Sequence, residues 1–145
     1  MDAAVRHAYA TALEIIPGAD QLARAWPHAK AVASSSSQQL VELKLARVGL
    51  GDVFGDSIFT ADNFRAKPHP DLFLASADHL NIHPQSCVVV EDSVNGVIAA
   101  KRAGMKVIGF TGGGHCLPDH PTLLTESGAD WVFDSFSGIK QLLLH

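Results

Sequence analysis

One short segment restricts the possible folds more than any other part of the chain. Val88, Val89 and Val90 form an unbroken apolar run that ends in Glu91-Asp92. A strand that is apolar on both faces is typical of a parallel sheet covered by helices on each side. The run therefore predicts a buried parallel strand with two carboxylates at its carboxyl end.

Strand and helix patterns alternate on either side of this run. The predicted strands cover residues 30–34, 57–60, 87–90, 106–110 and 131–133, and the predicted helices cover 2–14, 20–26, 38–48, 71–80, 94–103 and 136–143. Such alternation indicates right-handed βαβ units. The expected fold class is α/β, a Rossmann-like parallel sheet with helices on both faces, in which ligands bind at the carboxyl ends of the strands.

The composition argues against two classes of partner. The net charge is −4, and the eleven Lys and Arg residues are scattered, so neither nucleic acid nor an anionic membrane surface is expected. No apolar stretch reaches the roughly 18 residues that a membrane span needs. Cys87 and Cys116 form no CxxC pair, which favours a reduced, cytoplasmic protein.

The acidic pair is the first candidate for chemistry. Carboxylates at the end of a buried strand are costly unless they are paired or bind a cation. Mg²⁺ prefers a few carboxylates together with waters and phosphate oxygens, so Glu91 and Asp92 suit that ion. The alternative is that Asp92 or Ser93 merely caps the helix that follows, and the motif alone leaves both readings open.

A lysine and a serine run are the other candidates. Prolines 68 and 70 fix the backbone beside Lys67, so its ammonium can be held where it neutralises a phosphoryl group. The four serines at 34–37 follow a predicted strand and can form an anion cradle with their backbone N–H groups. The alternatives are a surface lysine and a polar linker with a serine cap.

Two further groups of residues carry weaker signals. His115, Cys116 and His120 share a predicted loop, but their spacing fits no standard zinc site, so loop polarity is the simpler interpretation. The glycines at 112–114 do not form the GxGxxG pattern of a dinucleotide site.

Taken in order, these signals resemble a known family. A strand ending at Ser34, then Lys67-Pro68, then a strand ending at Glu91-Asp92 resemble motifs two, three and four of the haloacid dehalogenase-like superfamily. Residues 67–104 are similar to the subgroup that contains phosphoglycolate phosphatase and β-phosphoglucomutase. The resemblance covers essentially the whole chain.

The resemblance implies roles for the main candidates. Ser34 would hydrogen-bond the transferring phosphoryl group, helped by the backbone N–H of Ser35. Lys67 would neutralise charge on the phosphate and on the nucleophile. Asp92 would ligate Mg²⁺, and Glu91 would ligate it directly or through water.

The resemblance also implies supporting residues and a reaction. Ser93 would orient Lys67 or the acidic pair, and Ser36 and Gln38 are weaker candidates for contacting the substrate. The implied activity is a Mg²⁺-dependent phosphatase that acts on a small phosphorylated metabolite, such as a sugar phosphate, through an aspartyl-phosphate intermediate.

The chain departs from the family at its first motif. That motif is an Asp-x-Asp whose first Asp is the nucleophile, and the 145 residues contain no Asp-x-Asp. We therefore expect residues 1–15 to be the remainder of a cap and hinge, and residues 16–145 to be an incomplete core domain. The missing first strand would be central in the sheet, so a complementing N-terminal segment or a strand from a partner chain is expected to fill its place.

Two alternative functions stay open on the sequence alone. A β-phosphoglucomutase-like phosphomutase would use the same aspartyl-phosphate, and the cap would decide between the two enzymes. A truncated remnant that binds phosphate or a partner chain without catalysis is the third possibility, and without a nucleophile this chain alone is expected to be inactive.

Overall fold

A computed structural model of the chain describes residues 23–112 and 117–144. The strands are β1 (Val32–Ser34), β2 (Ile58–Thr60), β3 (Val88–Glu91), β4 (Lys106–Phe110) and β5 (Trp131–Phe133). The helices are α1 (Gln38–Arg47), α2 (Asp71–Leu80), α3 (Val94–Arg102), α4 (His120–Glu126) and α5 (Phe136–Leu143), with a short 3₁₀ turn at Pro84–Ser86. The predicted helix at 2–14 and the proposed cap remainder lie outside the described residues. Within the described ranges, no helix has the length and apolar character needed to cross a bilayer.

The strands form two parallel sheets. β1 pairs with β2, and β3 pairs with β4, which pairs in turn with β5. All of these pairs are parallel, as the alternation of strands and helices predicted. No ladder joins β1 to β3 within the described part of the chain, so the sheet is divided between the strand that ends at Ser34 and the strand that ends at Glu91.

Helices cover both faces of the β3–β4–β5 sheet. Val89 packs into a cluster with buried residues of α2, α3 and α4. Val88 and Val90 point to the other face, where they pack with residues of α5, including Phe136 and Ile139. This arrangement confirms the α/β class and explains the unbroken valine run, because both faces of β3 are buried.

The two sheets share one of these packed layers. Ala33 of β1 lies in the same cluster as Val89, whereas Val32 faces α1 and packs with Val41 and Leu45. The common layer under α2 and α3 therefore holds the carboxyl ends of β1 and β3 close together, although the two strands do not pair.

Serine side chains begin three of the helices. Ser37 caps α1, Ser93 caps α3 and Ser135 caps α5, each by accepting a hydrogen bond from a backbone N–H of the first turn. Such caps satisfy donors that have no partner inside the helix. They fix the points at which the chain leaves β1 and β3 and enters the next helix.

Helix α4 was not predicted from the sequence. It has seven residues and begins at His120, with Pro121 in its first turn, and Leu124 is its one fully buried side chain. A single buried position cannot produce a helical period in the sequence. The helix forms because it packs on α3, β4 and β5.

Candidate functional site

Lys67 connects the carboxyl ends of the two sheets. Its Nζ donates to the carbonyl oxygen of Ala33 in β1 at 3.0 Å and to Oε2 of Glu91 in β3 at 2.7 Å. The lysine side chain is 9 % exposed and the glutamate 2 %, so this is a buried ion pair. The ring of Phe73 lies 5.2 Å from Nζ and adds a cation–π contact. The structure thus places the predicted lysine between the two predicted strand ends.

The loop that carries Lys67 is anchored from two sides. The backbone N–H of Lys67 donates to Oγ of Ser35 at 3.2 Å, which joins the loop to the serine run. From α3, Nη1 of Arg102 donates to the carbonyl oxygen of Pro68 at 3.2 Å. These bonds restrict the backbone on both sides of the Cα atom of Lys67, from which the ammonium group extends.

An ion pair also closes this loop on its solvent side. Arg65 donates to both carboxylate oxygens of Asp71, from Nε at 2.8 Å and from Nη2 at 3.0 Å. The hydrogen bond from Arg65 lowers the pKa of Asp71 below its ordinary value of 3.8, and the pKa of Arg65 is raised in turn. The pair spans the Lys67 loop and reaches the first residue of α2.

The other oxygen of Glu91 is held by its neighbours in sequence. Oε1 accepts from the backbone N–H of Asp92 at 3.1 Å and from Oγ of Ser93 at 3.2 Å. Oγ of Ser93 in turn accepts from the backbone N–H of Gly96 at 3.0 Å. Ser93 therefore caps α3 and also contacts the acidic pair, so the capping interpretation and the functional interpretation are compatible.

Gly96, which was not among the residues predicted from the sequence, permits this arrangement. A Cβ atom at Gly96 would lie 2.0 Å from Cδ of the Glu91 side chain. Real atoms do not approach so closely, so any side chain here would displace the buried glutamate. A glycine in the first turn of a helix that follows an acidic pair is the signal that could have indicated this contact.

Asp92 is buried and is tied down through its backbone. The residue is 9 % exposed, and its N–H donates to Glu91 as described above. Its carbonyl oxygen lies 2.6 Å from Nε2 of His120, the first residue of α4. The interpretation of His120 as part of a polar loop was therefore wrong. His115 and Cys116 lie outside the described residues.

The serine run forms a tight turn between β1 and α1. Oγ of buried Ser34 accepts from the backbone N–H of Ser36 at 3.1 Å. Ser37, the last serine of the run, is the helix cap, so the capping alternative holds for that residue. The backbone N–H of Gln38 donates to Oδ2 of Asp62 at 2.8 Å, a contact that the sequence did not indicate.

The acidic pair offers the carboxylate oxygens that a hard cation such as Mg²⁺ prefers as ligands. Asp92 and Glu91 supply carboxylate oxygens at the end of a buried strand, and Mg²⁺ binds through one or two carboxylates while it keeps several waters. Among residues 23–112 and 117–144, no group of three or more His, Cys, Asp or Glu side chains is arranged to hold a metal. A metal here would therefore depend on Asp92, with water, phosphate oxygens or groups outside the described residues completing its coordination.

A family model and a curated relative both match most of this chain. Residues 2–104 match the model of the haloacid dehalogenase-like hydrolase family. The chain is 35 % identical over 108 residues to the fructose-1-phosphate phosphatase of Escherichia coli strain K12, an alignment that covers 72 % of this chain and 56 % of the relative.

Two solved structures have a similar fold. A haloacid dehalogenase-like protein of unknown function from Agrobacterium tumefaciens superposes with a TM-score of 0.85 at 36 % identity, covering 90 % of this chain and 60 % of that one. A family hydrolase from Deinococcus radiodurans, solved with bound phosphate and sodium, gives a TM-score of 0.80 at 36 % identity, covering 88 % and 58 %. The chain therefore spans less than two thirds of each of these three proteins.

Proposed function

Because this chain belongs to the haloacid dehalogenase-like hydrolase family, we propose that it carries the phosphate- and Mg²⁺-binding part of a phosphatase for a small phosphorylated metabolite. The single observation that carries the proposal is the buried Lys67–Glu91 ion pair, which joins two strand ends beside Ser34 and Asp92. A sugar phosphate is the proposed substrate class, supported by the activity named for the E. coli relative.

Each proposed role follows from the chemistry of the group. The hydroxyl of Ser34 and the backbone N–H of Ser35 would donate to phosphoryl oxygens at the end of β1. The ammonium of Lys67 would offset negative charge on those oxygens in a site from which water is largely excluded. Glu91 holds that ammonium in place, because a lysine chain has many rotamers and would otherwise be mobile.

Asp92 would hold the metal ion. Glu91, whose two carboxylate oxygens already accept from Lys67, Ser93 and the N–H of Asp92, would contact the ion through water. Mg²⁺ at this position would supply positive charge that neutralises phosphoryl oxygens. Ser93 would keep the acidic pair in position through its bond to Glu91. Ser36, in the turn after β1, and Gln38, the first residue of α1, would face the remainder of the substrate.

The nucleophile would come from another segment. The 145 residues contain no Asp-x-Asp, and β1 and β3 have no ladder between them in the described part of the chain. We propose that a strand carrying that motif fits between β1 and β3, either from an N-terminal segment of the same protein or from a partner chain. Unpaired backbone groups on two facing strand edges are costly when buried, which favours such an occupant.

Phosphate release tests this proposal. The protein as its open reading frame encodes it, called the complete protein below, is assayed with p-nitrophenyl phosphate and a panel of sugar phosphates, with and without Mg²⁺. We expect Mg²⁺-dependent release that Asp92→Asn abolishes and that Asp78→Asn, on the exposed side of α2, leaves unchanged. We expect no release by the 145-residue chain alone.

Three results would count against the proposal. Robust Mg²⁺-dependent release by the 145-residue chain, abolished by Asp92→Asn, would show that the nucleophile lies within it. Transfer of phosphate between positions of one sugar, without net release, would identify a phosphomutase instead. Absence of both activities in the complete protein would leave the non-catalytic alternative.

A further inference from the structure

His120 contacts the backbone of Asp92 from another part of the fold. Its Nε2 lies 2.6 Å from the carbonyl oxygen of Asp92, across 28 positions of sequence. A carbonyl oxygen can only accept, so Nε2 carries the hydrogen of this bond. The imidazole belongs to the first residue of α4, and that helix packs on α3, β4 and β5.

The carbonyl of Asp92 lies at the junction between β3 and α3. The β3–β4 ladder ends at Glu91, and the first carbonyl to accept within α3 is that of Ser93, which receives the N–H of Val97. The carbonyl of Asp92 lies between these two segments, at the point where the chain passes from β3 to α3. The imidazole of His120 donates to it there.

Both backbone groups of Asp92 are consequently bonded to side chains. Its N–H donates to Oε1 of Glu91 at 3.1 Å, and its carbonyl oxygen accepts from His120 at 2.6 Å. Two such bonds restrict the dihedral angles on both sides of its Cα atom, and those angles set the direction of the carboxylate.

We propose that His120 is a positioning residue for the cation site, acting through the backbone of Asp92. This inference rests on the proposed function, because it assumes that the carboxylate of Asp92 holds Mg²⁺. Residues that orient a metal ligand without touching the metal commonly change metal affinity by about 10- to 100-fold when they are replaced. The imidazole would act by donating a hydrogen bond and not by filling space.

Two substitutions separate donation from packing. His120→Phe keeps a ring of similar shape and removes the donor, whereas His120→Gln removes the ring and keeps an N–H that can reach a carbonyl. Thr122→Ala, at an exposed position of the same helix, is the matched control. The complete protein carries each change, and calorimetry with Mg²⁺ alone measures metal affinity without turnover.

The expected result is a difference between the two variants. We expect His120→Phe to weaken Mg²⁺ binding at least about tenfold and to raise the Mg²⁺ concentration for half-maximal activity to the same extent. We expect His120→Gln to retain most of the affinity, and Thr122→Ala to match the wild type. At saturating Mg²⁺, the KM for the phosphate ester should be unchanged in all three.

Other outcomes would overturn the inference. Equal Mg²⁺ affinity in His120→Phe and the wild type, or tighter binding in the Phe variant than in the Gln variant, would assign the imidazole to packing. A similar loss of thermal stability in both variants, with no selective change in Mg²⁺ affinity, would also show that the imidazole serves packing. A wild-type protein with no Mg²⁺-dependent activity would instead contradict the proposed function.

Discussion

Nζ of Lys67 lies 2.7 Å from Oε2 of Glu91, and the pair joins the carboxyl ends of β1 and β3, two strands that do not pair with each other. A buried ion pair is weak evidence for stability, because removing two charges from water costs about as much as their attraction returns. Its presence at a strand end is better explained by the need to hold an ammonium group at a fixed point. The geometry thus favours a binding role for Lys67.

Removing one member of this pair should be costly. Lys67→Met leaves the Glu91 carboxylate buried without its cation, so we expect the free energy of unfolding to fall by about 3 kcal/mol at neutral pH. The double variant Lys67→Met with Glu91→Leu should recover much of that loss, since both charges are then absent. Urea unfolding of the complete protein measures both values, with Lys140→Met, at an exposed position of α5, as the control.

Phosphatase activity should not recover when the double variant regains stability. Both the single and the double variant should lack phosphatase activity, because neither carries the ammonium group. A double variant that regained activity together with its stability would show that Lys67 serves the fold alone.

Gly96 should tolerate no side chain. Gly96→Ala places a Cβ atom 2.0 Å from Cδ of Glu91, so the glutamate or the start of α3 must move. Overpacking of this kind costs about 1–3 kcal/mol, and the helix propensity of alanine offsets only part of it. Displacing Glu91 should also release Lys67 and reduce activity.

Gly51→Ala is the control for that experiment. A Cβ atom there would meet its nearest neighbour, Cα of Ala46, at 3.8 Å, an ordinary contact. Thermal melts and phosphate release should separate the two variants. Equal effects at both glycines would contradict the close approach of α3 to Glu91.

The Arg65–Asp71 pair should make the stability of the folded state depend on pH under acidic conditions. Its hydrogen bond lowers the pKa of Asp71 in the folded state below the ordinary value of 3.8 that the unfolded chain retains. The folded state therefore gains stability from this pair above that ordinary value and loses it as the pH falls through the lowered pKa. Arg65→Gln should raise the pKa of Asp71 toward 3.8, as followed by NMR of its carboxyl carbon. An unchanged pKa in this variant would show that the pair is not formed in solution.

A strand inserted between β1 and β3 should change amide hydrogen exchange. Peptides that cover residues 31–34 and 88–91 should exchange more slowly in the complete protein than in the 145-residue chain, because the insertion would occupy their open edges. A peptide covering 106–110 is the internal control, since β4 already has a neighbour on each side. Identical exchange of all three peptides in the two proteins would argue against an inserted strand.

The sequence predicted the elements whose signals are local. The valine run gave β3 within one residue, and the boundaries of α2 and β4 agree with the prediction, because burial, caps and turns act over a few positions. Contacts between distant elements left no such signal. The bond from His120 to Asp92 and the contact of Gly96 with Glu91 depend on how helices pack against β3. The division into two sheets also depends on which strands meet, and it was expected only because the family resemblance places the missing first strand at the centre of the sheet.

In the proposed function, Ser34, Lys67 and Asp92 form one phosphate and metal site. A crystal structure of the complete protein with Mg²⁺ and inorganic phosphate tests it most directly. We predict a phosphate oxygen within hydrogen-bond distance of the Ser34 hydroxyl and of Nζ of Lys67, and Mg²⁺ about 2.1 Å from a carboxylate oxygen of Asp92. Phosphate and Mg²⁺ bound together elsewhere, with these three side chains contacting neither, would show that the three residues do not form this site.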